Sequence, residues 1–90
     1  MGNNLFTKDP SAVLDYTIDW SDWLDSDTIS TSTWTVPIGL TEDSDTNTTT
    51  TATVWLSSGT AGTQYTVINH IVTAGGREDD RSIYIMVEDR

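Results

Sequence analysis

Apolar residues alternate with polar ones along most of this chain, and no stretch of ten or more residues repeats them at the helical period of about 3.6. That pattern restricts the fold to strands. Leu14, Tyr16 and Ile18 interleave with Asp15, Thr17 and Asp19, as one half-buried strand requires. "TATVWLSS" (51–58) likewise sets Ala52, Val54 and Leu56 against Thr53, Trp55 and Ser57. Further strands are expected in "DTISTSTWTV" (27–36), "QYTVINHIVT" (64–73) and "RSIYIMVED" (81–89). In the first of these the apolar parity changes between Ile29 and Trp34/Val36, which predicts a bulge or a switch of face, and Pro37 ends the strand. Residues 38–50, "IGLTEDSDTNTTT", are polar and acidic and read as a long loop. The turns "SGTAGT" and "AGGREDD" should join the last three strands into an antiparallel meander. Residues 1–12, with the isolated pair Leu5 and Phe6 and a turn at "DP", read as an extended N-terminal arm, leaving 13–90 as one domain.

A chain of 90 residues buries only about 60–65% of the surface its unfolded form exposes, so the core is small. Without cysteine it can be held neither by disulfides nor by a thiolate metal site. No apolar run reaches the roughly 18–20 residues of a membrane span, and the N-terminus lacks a signal-like core; a soluble chain made in the cytoplasm is expected. Several short strands at this spacing predict a small immunoglobulin- or fibronectin III-like antiparallel β-sandwich. Tyr65, two residues before Val67, occupies the place of a tyrosine corner.

Fourteen acidic residues against Lys8, Arg77, Arg81 and Arg90 give a formal charge of −10. Such a field repels nucleic acid and favours solubility or docking to a basic protein surface. Catalysis finds no support. Asp15 and Asp19 point outward into water, and His70, the only histidine, has no nucleophile motif to serve. "DSDTN" (43–47) starts like a calcium loop, but Thr48 and Val54 occupy the positions of the required glycine and acid. A looser site drawn from Asp25, Asp27, Asp43 and Asp45 stays open at this level. No catalytic, cofactor or metal residue is assigned. The two stretches that stand out are "DWSDWL" (19–24), whose turn should bring Trp20 and Trp23 to one side, and "GGREDDRS" (75–82), which sets Arg77 and Arg81 beside three acids. The tryptophans either cap the core or form a partner-binding hot spot. The arginines either close local salt links or reach a neighbouring copy's acidic surface.

"KDPSAVLDYTIDWSDWL" (8–24), "DTIS" (27–30) and "VWLSSGTAGTQYTVINHIVTAGGREDDRSIYIMVED" (54–89) together resemble a family of small tailed-bacteriophage proteins described as fibre-tail adaptor or head-tail structural proteins with an immunoglobulin-like fold. The resemblance covers about two thirds of the chain and does not reach the 37–50 segment. His70 stands where the family has a basic residue, and Ser58 where it has a second glycine. The resemblance implies a non-enzymatic virion component in several copies around a symmetric tail or connector, made in the host bacterial cytoplasm. Its partners would be other phage structural proteins and copies of itself, with no cofactor, nucleic acid, membrane or small-molecule substrate. A head-decoration protein is the first alternative, and a carbohydrate-binding or adhesion module the second. Leu5, Phe6, Trp20, Trp23, Arg77 and Arg81 are the expected partner contacts. Deleting residues 1–12 is expected to leave a folded monomer that no longer assembles.

Overall fold

The alternation in β2 (Leu14–Asp19) turns Tyr16 and Ile18 inward, and that in β5 (Thr51–Ser58) does the same for Ala52, Val54 and Leu56. These strands pair antiparallel, Tyr16 opposite Val54 and Ile18 opposite Ala52, so their apolar sides make one wall. β6 (Gln64–Thr73) and β7 (Glu78–Val87) supply the facing wall through Tyr65, Val67, Ile71, Ile83, Ile85 and Val87. The computed structural model describes residues 5–89 and arranges them as two sheets. One has the order β1-β7-β6-β3, with β1 at Leu5–Lys8 and β3 at Ile29–Thr35. The other has the order β2-β5-β4, with β4 at Leu40–Asn47. The expected all-β sandwich therefore stands, and the irregularity predicted within 27–36 falls in β3, between Ile29 and Thr31.

Four features differ from the sequence-based expectation. The 38–50 segment is not a long loop, because Leu40–Asn47 pairs along β5. It escapes the alternation rule as an edge strand on which only Leu40 is buried; its acidic residues suit an edge that must not recruit further strands. The last three strands are not a meander. β5 already has β2 and β4 on its two sides, so the chain after Ser58 crosses to the other sheet, where only β6 and β7 form a hairpin. β7 begins at Glu78, three residues before the expected start at Arg81.

The fourth difference concerns the N-terminal arm. Leu5–Lys8 is a strand of the sandwich, pairing parallel with Tyr84–Val87, so the division of arm and domain at residue 12 does not hold; residues 1–4 lie outside the described residues. Lys8 is fully buried, and its ammonium donates to the carbonyls of Ser58 at 2.6 Å and Asp9 at 2.9 Å. Burial lowers its pKa, against the pull of Asp9 and Asp43. Deleting residues 1–12 would remove this tie between β1 and the end of β5, so loss of stability accompanies any loss of assembly.

A single helical turn, α1 (Ser21–Leu24), closes the end of β2. The next turn is strained. Asp25 has φ 59° and ψ −109°, and the Asp27 N–H donates to the Leu24 carbonyl at 2.9 Å, which makes Asp25 the first central residue of a type II′ turn. Glycine is the residue that position favours. Asp25→Gly is therefore expected to stabilise the fold by about 1 kcal/mol, the relieved strain outweighing the extra entropy of the unfolded chain. A lower urea midpoint for the variant would contradict this account of the turn.

Candidate docking surfaces

"DWSDWL" and "GGREDDRS" meet in space. Trp20 is fully buried, and its Nε1–H donates to Asn69 Oδ1 at 2.9 Å. Asn69, also fully buried, donates its amide to Ser32 Oγ at 2.9 Å and to the Thr33 carbonyl at 3.0 Å. Trp23 packs edge-on against Trp20, with ring centroids 5.4 Å apart and planes at 69°. The Arg77 guanidinium lies 4.1 Å over the Trp23 ring and donates to the carbonyls of Trp23 at 2.8 Å and Leu24 at 3.3 Å. The Arg81 guanidinium lies 4.3 Å over Trp20 and donates to the Asp19 carbonyl at 3.1 Å. Asp27 stands 3.8 Å from Arg77 and accepts the N–H groups of Thr28 and Gly75.

This cluster corrects two expectations. Trp20 cannot be a partner contact, because nothing of it reaches the surface. Arg77 and Arg81, expected to close local salt links or to reach a neighbouring copy, are instead engaged with the tryptophan turn of their own chain, the Arg77 side chain staying 45% exposed. They clamp the tryptophan turn onto β7, combining backbone hydrogen bonds with cation–π contact. Trp23 remains partly exposed beneath Arg77. Phe6 faces inward, its ring centroid 5.1 Å from that of Tyr16. With Thr17, Ile18, Asp19, Arg81 and Ile83 it lines a cleft of about 150 Å³ between β2 and the β1–β7 side. That volume holds a few waters and falls short of the roughly 300 Å³ of a small-ligand pocket. No group of three or more His, Cys, Asp or Glu among the described residues is gathered in a way that could hold a metal ion.

Of the expected contacts, Leu5 is the one on an outer face. It is 46% exposed and sits in register beside Tyr84, itself 39% exposed. Because Ile83, Ile85 and Val87 point inward, Tyr84 and Met86 must point out, and Ile68 of β6, diagonal to Tyr84, shares that side. The outer face of the four-stranded sheet thus presents Leu5, Tyr84 and the half-buried Ile68 and Met86, interspersed with Thr7, Gln64, Thr66 and Ser82. Sequence reasoning missed it, although parity in "SIYIMV" carried the signal. On the opposite sheet the outward residue is Trp55, 40% exposed between Asp15 and Ser44.

The same outer face of the four-stranded sheet holds a titrating cluster. His70 Nδ1 lies 2.6 Å from Asp80 Oδ1 and Nε2 lies 3.1 Å from Glu78 Oε1. The bond to Asp80 raises the His70 pKa, Glu78 adds to it and partial burial opposes. On β4, a hydrogen bond with Asp45, then burial and repulsion by Asp45, pushes Glu42 up to about 7. Both groups hold their proton more tightly in the folded chain, so protonation favours folding. The His70 contribution is complete below its ordinary 6.5 and lost as pH rises through the raised value; that of Glu42 is complete below 4.5 and lost on approaching 7. Asp19, held low mainly by the Ser21 N–H, and Asp27, held low mainly by the Thr73 hydroxyl, act in the opposite sense and only in stronger acid. The urea midpoint is therefore expected to fall from about pH 5 to about pH 8, and to fall less in the His70→Gln/Glu42→Gln variant. Equal slopes for the two proteins would refute the assignment.

A family described as "Podophage GP4 fiber-tail adaptor protein gp77" matches residues 8–86. The chain belongs to that family. The match spans the tryptophan turn, the arginine clamp and every strand but part of β1 and β7. A solved structure described as "Solution structure of the PKD domain from KIAA 1837 protein" is similar with a TM-score of 0.56 and 18% identity, covering 98% of this chain and 81% of that one. This likeness shows the fold, an immunoglobulin-like β-sandwich. A search of curated proteins finds no match. The family's description is that of a structural phage component rather than an enzyme.

Proposed function

We propose that this adaptor-family chain is a non-enzymatic virion protein joining the tail or connector to its fibres, in several copies around a symmetric tail. Family membership supports the adaptor role. One observation in the molecule supports the rest: the buried polar groups and the described arginines bond within the chain to hold the fold, while apolar side chains remain outside. Trp20, Asn69, Lys8, Arg77 and Arg81 all bond within the chain. Leu5, Tyr84 and Trp55 lie on outer faces, where such residues suit protein contact. The test is a phage whose gene for this chain is disabled. Its particles should keep capsid and tail proteins and lose fibre protein several-fold; unchanged fibre content with fragile capsids would mean head decoration instead.

Trp55 favours one second reading. An exposed indole on a sheet face beside Asp15, Thr17 and Thr53 suits stacking on a sugar ring. A tryptophan fluorescence shift on adding glycans, abolished by Trp55→Ala, would support an adhesion role.

A further inference from the structure

Resting on the adaptor reading, we propose that the outer face of the four-stranded sheet, centred on Leu5, Ile68, Tyr84 and Met86, docks a different polypeptide that presents an apolar centre with a basic rim, and not a second copy of this chain. The apolar part follows from register. β1 places Leu5 directly beside Tyr84, and β6 brings Ile68 diagonal to it, so three neighbouring strands contribute to one patch. Tyrosine and methionine are the residue types enriched in the buried centres of interfaces, and a group of outward apolar side chains set among uncharged Thr, Ser and Gln on a strongly charged small domain marks a contact surface. A flat sheet face also accepts another sheet at the usual spacing of about 10 Å.

Charge decides the occupant. At the far end of the same face His70 stands between Asp80 and Glu78, and Asp79 follows on the exposed strand end. The chain as a whole carries −10. A second copy would bring the same sign to the contact. Its described cations are already engaged within the chain: Lys8 is buried against Ser58, Arg77 and Arg81 are stacked on Trp23 and Trp20 and bonded to backbone carbonyls although the Arg77 side chain stays 45% exposed, and His70 is paired with Asp80 and Glu78. A partner with lysine or arginine around an apolar centre meets both requirements, and the long-range field steers it in.

The experiment introduces the photo-crosslinker p-benzoyl-phenylalanine at Tyr84 in the full chain, incorporated into phage particles that are purified and irradiated. The expected result is an adduct to a different virion polypeptide, at a segment in which Lys and Arg outnumber Asp and Glu. An adduct to a second copy, an adduct at an acidic segment, or no adduct from particles containing the chain overturns the proposal while leaving the adaptor reading intact. Absence of the unmodified wild-type chain from purified particles overturns both. The variant Leu5→Ser/Tyr84→Ser supplies a second measurement. With its urea midpoint close to wild type, it should be retained in particles at least tenfold less; wild-type retention of the folded variant overturns the proposal.

Discussion

Trp20→Ala is expected to destabilise the fold by about 3–5 kcal/mol, the usual cost of truncating a fully buried aromatic side chain. A domain of this size has only about 5–15 kcal/mol in total, so the variant should be largely unfolded at modest urea concentrations. Three losses combine. The indole volume disappears from a site with no exposure, Trp23 and the Arg81 guanidinium lose the ring they pack on, and Asn69 Oδ1 loses its buried donor. Trp20→Phe separates these effects. It keeps most of the volume and the ring face but leaves the Asn69 acceptor unpaired, for which about 1–3 kcal/mol is expected. Urea titrations of the two variants decide between a core and a surface role: a cost below about 1 kcal/mol for Trp20→Ala would mean that the indole does not hold the sheets together.

That result bears on what the sequence could reveal. Alternation set Leu14, Tyr16 and Ile18, and Ala52, Val54 and Leu56, apart from their polar neighbours, and all but Leu14, 39% exposed at the start of its strand, are buried, because parity tells which side of a strand meets the core. Parity is silent on pairing partners, so β5 was joined to β6 although it lies between β2 and β4. It is also silent where a strand buries a single residue, as β4 does at Leu40. For the site, "DWSDWL" named the right stretch and left its role open, since two indoles on one turn suit a core and an interface equally. The deciding group is Asn69, 49 residues downstream of Trp20. Asn69 shares the inward parity of Val67 and Ile71, and Arg81 that of Ile83; a polar residue at an inward position implies a partner inside. Those two positions were the readable trace of the clamp.

Gly39→Ala is the second substitution with a large expected effect, about 2–5 kcal/mol of destabilisation from backbone strain and crowding together. Gly39 has φ +110°, which side-chain-bearing residues rarely adopt, and an added Cβ would stand 2.8 Å from both Cε1 and the hydroxyl of Tyr65. The ring cannot retreat. It is 93% shielded within the core, leaving 7% exposed, and its hydroxyl accepts the Thr60 N–H at 3.0 Å, the tyrosine corner that pins the crossing from β5 to β6. Tyr65→Phe is the control: it removes the hydroxyl that accepts the part-buried Thr60 N–H and meets the Thr60 and Thr63 side chains, keeps the ring, and should cost about 1 kcal/mol. A Gly39→Ala cost no greater than that of Tyr65→Phe would show that the 37–40 turn yields freely and that the corner does not fix it. If the larger cost is found, the turn into β4 and the crossover into β6 are locked to each other through one aromatic ring. The two sheets are then held at a fixed separation and angle.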